Sequence, residues 1–272
     1  FDTNKPLLGF YDEGIPETAD WEIKWMAEHG LDFELYCWYS SESNMPICKT
    51  WLSSEIVDGH MLARYSDKVK MALLWETSCA PPKTFEDFKN YLVPYWIDYF
   101  FSYPRYMQID GQAVMSIYNI KTIADSLGSE ELCKKCLDYL RKEVKKLGYK
   151  GMIILGCDSC YSKPLYKNCG LDAIHCYSWA QKGYDVEYTK KRMLDNIKEG
   201  SIHQVPCVSM GYNLVAWAAR RTPVLEPDDM VTLLEWCKNE LLDKYPDKNS
   251  WKAKLCMLST WNEYGEGTYM MP

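Results

Sequence analysis

The sequence predicts a parallel α/β fold, preferably a (β/α)8 barrel, on three observations. Short apolar runs alternate with helical patterns along all 272 residues. The runs are apolar on both faces, as strands are when helices cover a parallel sheet. No G-x-G-x-x-G or G-x-x-x-x-G-K-[ST] turn occurs, so the usual mark of a nucleotide-binding open sheet is missing.

In chain order, apolar, β-branched and aromatic runs place strands at 31–39, 69–75, 113–118, 151–156, 173–179, 205–210 and 253–261. Helical patterns fall between them. The first covers 19–29. The second, 85–101, has a start signal in Thr84, with Asp87 three residues beyond Phe85's cap. The third, 129–147, offers Leu132, Leu137 and Leu140 as core positions, and the fourth covers 186–199. The last, 228–244, opens with Pro227-Asp228-Asp229. Seven strands are one short of a closed barrel. The eighth is expected upstream of residue 1 or within residues 6–11. No linker-like stretch, repeat or low-complexity segment interrupts the chain, so one domain spanning 1–272 is expected.

Composition narrows the partners. The formal net charge is −7, and the Lys pairs (Lys134–Lys135, Lys145–Lys146, Lys190–Lys191) sit beside acids in helix-like segments. That argues against nucleic acid, which needs clustered basic charge. No apolar run is long enough to span a bilayer; the longest, 91–106, is broken by Pro94, Asp98 and Pro104. Eleven Trp and twenty-one Tyr against seven Phe put the aromatic excess into rings with a polar handle. Such rings stack on a pyranose face while bonding its hydroxyls, although a core rich in Tyr and Trp explains the count equally well. Twelve Cys without dense scaffold spacing suggest reduced thiols and lean towards a reducing, cytoplasmic or anaerobic setting. Two Cys-x-x-Cys pairs, Cys133/Cys136 and Cys157/Cys160, imitate a zinc site, but burial as small hydrophobes is the preferred reading, and no metal or cofactor is expected.

The segment Trp261-Asn262-Glu263-Tyr264-Gly265-Glu266-Gly267-Thr268 is the most unusual in the chain. It follows the last strand directly, on the side where barrel enzymes carry their active sites. Gly265 and Gly267 permit a tight turn that brings two carboxylates to one side. Glycosidic cleavage needs such a pair: one group protonates the leaving oxygen and the other acts on the sugar as nucleophile or base. An exposed acidic loop is the bland alternative, and by spacing alone it is at least as good.

This segment resembles the W-N-E-[WY]-x-E-G-[AT] signature of glycoside hydrolase family 99 and its WbsX-type relatives. Other matches follow in order. Leu8-Gly9-Phe10-Tyr11-Asp12 is similar to the family's L-G-Y-Y-D. Gly30-Leu31-Asp32, running into Trp38-Tyr39, is similar to its G-I-D-G-F strand. Residues Tyr106 to Val114 resemble its Y-x-x-I-D-G-K-P-V, and Arg220-Arg221 follows Tyr212-Asn213 as the family's double Arg follows W-D-N. The resemblance covers nearly the whole chain and implies that it is shortened at its N-terminus, before which the family's first strand would lie. It also implies roles. Glu263 would be the base assisting the sugar's 2-hydroxyl, and Glu266 the general acid/base, with net retention. A conventional nucleophilic role for Glu263 is the fallback. Two departures stand out: the relatives' W-A-N-E is Trp75-Glu76-Thr77 here, and their W-D-N is Tyr212-Asn213.

Trp38, Tyr39, Trp75, Tyr118, Trp179 and Tyr212 end strands on the expected active face and are candidates for sugar stacking, with packing as the equal alternative. Glu76, Asn213, Trp261 and Asn262 join them as candidate substrate contacts. Asp158 either bonds hydroxyls or caps a helix. Arg220 or Arg221 either reaches an anionic substituent or pairs with Asp228 or Glu226. His175 reads as a structural histidine. The expected function is a glycosidase acting on α-linked, mannose-like sugars in a glycan or polysaccharide. A glycosyltransferase of polysaccharide assembly and a non-catalytic carbohydrate-binding barrel are the alternatives. The first lacks a D-x-D motif or phosphate loop in this sequence, and the second has no need of Glu266.

Overall fold

The structure is a computed structural model that describes residues 5–40, 53–158, 163–179, 184–213 and 223–272. It divides into two compact units, each taken by itself. The N-terminal unit comprises 10–156 and 165–172, and the C-terminal unit 1–9, 157–164 and 173–272.

The strands of the N-terminal unit are β1 (Phe33–Tyr39), β2 (Lys70–Glu76), β3 (Gln108–Ile109), β4 (Gln112–Tyr118) and β5 (Gly151–Cys157). β1, β2, β4 and β5 pair in that order, all parallel. β3 is a short antiparallel partner of β4, joined through Asp110 (φ 53°) and Gly111 (φ 83°). Two consecutive positive φ values make this a tight hairpin turn of the kind Asp-Gly favours. Neither β3 nor this turn is among the expected strands.

The strands pack on a helical run at 85–101. Thr84 caps it by accepting from the Asp87 amide at 3.0 Å while the Asp87 carboxylate accepts from the Thr84 amide at 2.9 Å. Within the run, α-turns (Phe85–Asp87, Val93–Trp96) alternate with wider π-turns (Phe88–Leu92, Ile97–Phe101). Pro94 brings no amide to the ladder, and the wider turns flanking it absorb that loss. Phe88, Trp96, Phe100 and Phe101 are all buried at 1% exposure or less. Helix Glu130–Lys145 is capped by Ser129 and buries Cys133, Cys136, Leu137, Leu140 and Val144. Leu132, expected in the core, lies at the surface, one position off the buried stripe. Helix Ile120–Leu127 is an addition; Asn119 caps its start and Gly128 (φ 85°) its end.

The C-terminal unit holds β6 (Ala173–His175), β7 (His203–Gln204), β8 (Cys207–Ser209) and β9 (Met257–Ser259), and a final hairpin of β10 (Asn262–Glu263) and β11 (Thr268–Tyr269). β6 pairs with β7 and β8 with β9, both parallel. The run at 205–210 is shorter than expected because Pro206 has no amide to give a ladder, so β7 and β8 lie on either side of it. The expected strand 173–179 ends at His175, and the start of 253–261 is a 3-10 turn, Trp251–Ala253. Helix Val186–Glu199 matches its expected bounds, with Asp185 as its cap. Helix Pro227–Trp236 opens on a capping box between Glu226 and Asp229 and continues as a π-turn, Cys237–Leu242.

All seven expected strands thus have counterparts. Residues 6–11, offered as a place for an eighth, form a turn instead, closed by the Gly9 amide on the Pro6 carbonyl at 2.8 Å with Gly9 at φ 80°. No helix among the described residues is long and apolar enough to cross a membrane.

Candidate functional site

The Trp261–Thr268 segment is a tight hairpin that leaves β9 and folds back on itself. Glu263 lies opposite Thr268 and Asn262 opposite Tyr269, with the 3-10 turn Tyr264–Glu266 between the strands. Gly267 closes the turn at φ 60°. A Cβ there would stand 2.9 Å from the Asn213 carbonyl oxygen and 3.0 Å from the Asn213 Cβ, so both conformation and space demand glycine. Asn213 in turn donates its amide to the Glu266 carbonyl at 2.7 Å. The rings of Tyr264 and Tyr269 stand 4.4 Å apart, and the Tyr264 hydroxyl donates to the Met271 carbonyl at 3.2 Å. The Met271 amide donates to the Trp261 carbonyl at 2.9 Å. The hairpin is therefore braced on both sides, and its two acids sit on a fixed frame.

Glu266 is half-buried, and its Oε2 accepts a 2.6 Å hydrogen bond from the Tyr177 hydroxyl. A short phenol–carboxylate bond of this kind fixes the orientation of a carboxyl group, as an acid/base needs. Glu263 is exposed on β10. Tyr177 was not among the residues the sequence singled out. Its signal is the aromatic stretch Tyr177-Ser178-Trp179, two residues past the end of β6. Trp179 is only 2% exposed, and its indole donates to the Cys207 carbonyl at 2.8 Å. It packs the core rather than offering a stacking face.

In the N-terminal unit, strand parity sorts the candidates. Trp38 and Trp75 are register partners, both at 0% exposure. They turn towards the helical run, where Trp96 stands edge-on 5.6 Å from Trp38 and 4.9 Å from Trp75. Both therefore take the packing role, since a ring so enclosed cannot stack on a sugar. The next residue along each strand faces the opposite way. Tyr39, Glu76 and Tyr118 lie in one row across β1, β2 and β4. Tyr118 is 45% exposed. Glu76 is held by Ser78, which gives its amide to both carboxylate oxygens at 3.1 Å and its hydroxyl to Oε1 at 2.6 Å.

No protein-family model matches the chain, and no curated protein does. Solved structures do. A GH99 endo-alpha-mannosidase from Bacteroides thetaiotaomicron matches with a TM-score of 0.61 at 14% identity, over 98% of this chain and 73% of that one. The same organism's enzyme in complex with bis-tris-propane gives 0.62 at 16% identity, over 98% and 78%. A glycoside hydrolase-like protein gives 0.68 at 16% identity, over 98% and 81%. The chain has the fold of a family 99 glycoside hydrolase.

The other candidates have definite places. Tyr212, Asn213, Trp261 and Asn262 are half-buried beside or within the hairpin. Asp158 pairs with Lys163 at 2.9 Å. His175 is buried in β6 and held neutral, its pKa pushed down to about 4 by burial. Cys133 and Cys136 face the core, and a hydrogen bond with Cys169 together with burial drives the Cys133 thiol far up. Cys157 is buried; Cys160, Arg220 and Arg221 lie outside the described residues. Among the described residues no cluster of His, Cys, Asp and Glu has the geometry to hold a metal ion.

Proposed function

We propose that the chain is a retaining glycoside hydrolase acting on α-linked, mannose-like sugars within a glycan or polysaccharide. Glu266 is its acid/base and Glu263 its base, on a single (β/α)8 catalytic domain. The observation that carries this reading is the Tyr177–Glu266 hydrogen bond on the braced hairpin directly after β9. The fold shared with endo-alpha-mannosidases supports it. So do four buried polar atoms of the same region: Trp261 Nε1, Asn213 Oδ1, Ser259 Oγ and Thr268 Oγ1 have no hydrogen-bond partner among the described residues. Buried donors and acceptors of this kind are costly unless something pairs with them, and a sugar's hydroxyls are suited to both.

In this reading Glu266 gives its proton to the glycosidic oxygen as the bond to the anomeric carbon breaks. The sugar's own 2-hydroxyl attacks that carbon, and Glu263 takes the hydroxyl proton. Water then opens the epoxide-like intermediate at the same carbon, losing a proton to Glu266, while Glu263 returns its proton to the 2-oxygen. Two inversions give net retention. Tyr212, Asn213, Trp261 and Asn262, beside or within the hairpin, would contact the substrate.

The test is Glu266→Gln. Release of reducing sugar from an α-mannan or a high-mannose glycan should fall by about 10²–10⁴-fold, with glycan binding still measurable by calorimetry. Undiminished turnover would sink the assignment, and consumption of a sugar nucleotide without hydrolysis would replace it with a transferase.

A further inference from the structure

Away from the hairpin, the N-terminal unit gathers acids in a place ill suited to charge. Glu13 lies in the loop before helix Pro16–Glu28, and Glu22 is on that helix. Glu34 is on β1, and Glu55 opens the turn Glu55–Gly59. The helix packs on this turn and on the next, His60–Leu62. Gly59 lets the Glu13 backbone come so close that an added Cβ would meet its carbonyl oxygen at 2.4 Å. The Tyr36 hydroxyl and His60 Nδ1, 2.9 Å apart, tie β1 to the same turn.

Glu22 is 2% exposed, and its Oε1 meets no hydrogen-bond partner among the described residues. Glu34 Oε2 and His60 Nε2 are buried and unpartnered in the same sense. The groups that face one another are Glu13, Glu22, Glu34 and Glu55, with Asp12 beside Glu13 and the hydroxyls of Tyr11 on Glu22 and Tyr36 on Glu34. His60 has Arg105 behind it. The enclosed carboxyl oxygens of Glu22 and Glu34 resist ionisation, because burial and the nearby charges of Glu13 and Glu55 both oppose it. Burial, with help from Glu13, lifts Glu22 to about 7. Burial and the charges of Glu55, Glu22 and Glu13 lift Glu34 well above the carboxylate range, and burial with Asp12 lifts Glu13. Burial and Arg105 hold His60 down at about 4, so it supplies no balancing charge at neutral pH.

We propose that these glutamates form a proton-held latch, in which helix Pro16–Glu28 stays seated on the 55–62 turns while Glu22 and Glu34 hold carboxylic protons beside Glu13 and Glu55. The folded form binds more protons than the unfolded chain, whose glutamates titrate near 4.5. The latch is therefore fully closed below that range, and it loosens as pH rises through about 7 and beyond.

The test compares the whole chain with Glu34→Gln and Glu22→Gln, which keep the side-chain shape and cannot ionise. Between pH about 6 and about 8.5 the wild-type Tm should fall, and the Tm of each variant should fall less. Amides of helix Pro16–Glu28, corrected for intrinsic exchange, should lose protection in the wild type at the higher pH and keep it in the variants. Parallel Tm profiles for all three proteins would overturn the proposal. If a variant does not fold, unchanged wild-type protection of the helix across that pH range overturns it alone.

Discussion

Two sets of aromatic residues at strand ends have opposite fates. Trp38 and Trp75 of the N-terminal unit are sealed against Trp96. In the C-terminal unit, Trp261, Tyr264 and Tyr269 stay half-exposed around a hairpin that carries two acids. From sequence Trp38, Trp75 and Trp261 look alike, since each stands at the end of an apolar run. Within the N-terminal sheet parity sets the face, since a residue one step further along a strand faces the other layer. Tyr39 and Glu76, next to the sealed indoles, therefore face away from the helical run.

If this contrast is right, losses in the first set should unfold the protein and losses in the second should silence it. The largest expected effect is on turnover: Glu266→Gln lowers kcat/KM by about 10²–10⁴-fold while thermal unfolding stays close to wild type. A comparable fall in Tm would instead make Glu266 a structural acid. Next, Trp75→Ala should cost about 3–5 kcal/mol of stability in denaturant unfolding, because it opens a cavity between β2 and the helical run. A cost under about 1 kcal/mol would mean that the indole is not packed as described. Tyr177→Phe removes only a hydroxyl bonded to a carboxylate. It should lower kcat by an amount worth about 1.5–3 kcal/mol, with KM little changed. An unchanged kcat would show that Tyr177 does not hold Glu266 in a working orientation. The smallest effect sharpens the structural side: Thr84→Ala removes the cap of the 85–101 run and should cost about 1 kcal/mol of stability, with no change in activity.

Much of this was legible beforehand. The helix bounds at 186–199 and the cap at Thr84 rest on local signals, periodicity and side-chain-to-backbone bonds, which short stretches of sequence carry in full. The seven strands were placed because apolar runs bounded by turn residues have few other fates. Errors appeared where a single residue breaks a run. Pro206 shortens the strand expected at 205–210 to β8, and the turn at Gly9 replaces the strand sought within 6–11. Leu132 fell outside the core because the buried stripe of its helix runs through Cys133, Cys136 and Leu140, an offset that two small thiols conceal in a hydrophobicity pattern.

The sequence by itself determined the parallel α/β character, the helix caps and the hairpin glycines, because each depends on residues within a few positions of one another. The tertiary structure alone decided that Tyr177, 89 residues before Glu266, would bond to it. It also decided that Trp38, Trp75 and Trp179 would be core, and that Glu13, Glu22, Glu34 and Glu55 would meet. Those outcomes turn on which faces of distant elements come together, and a side chain carries no local mark of the neighbour that long-range packing will give it.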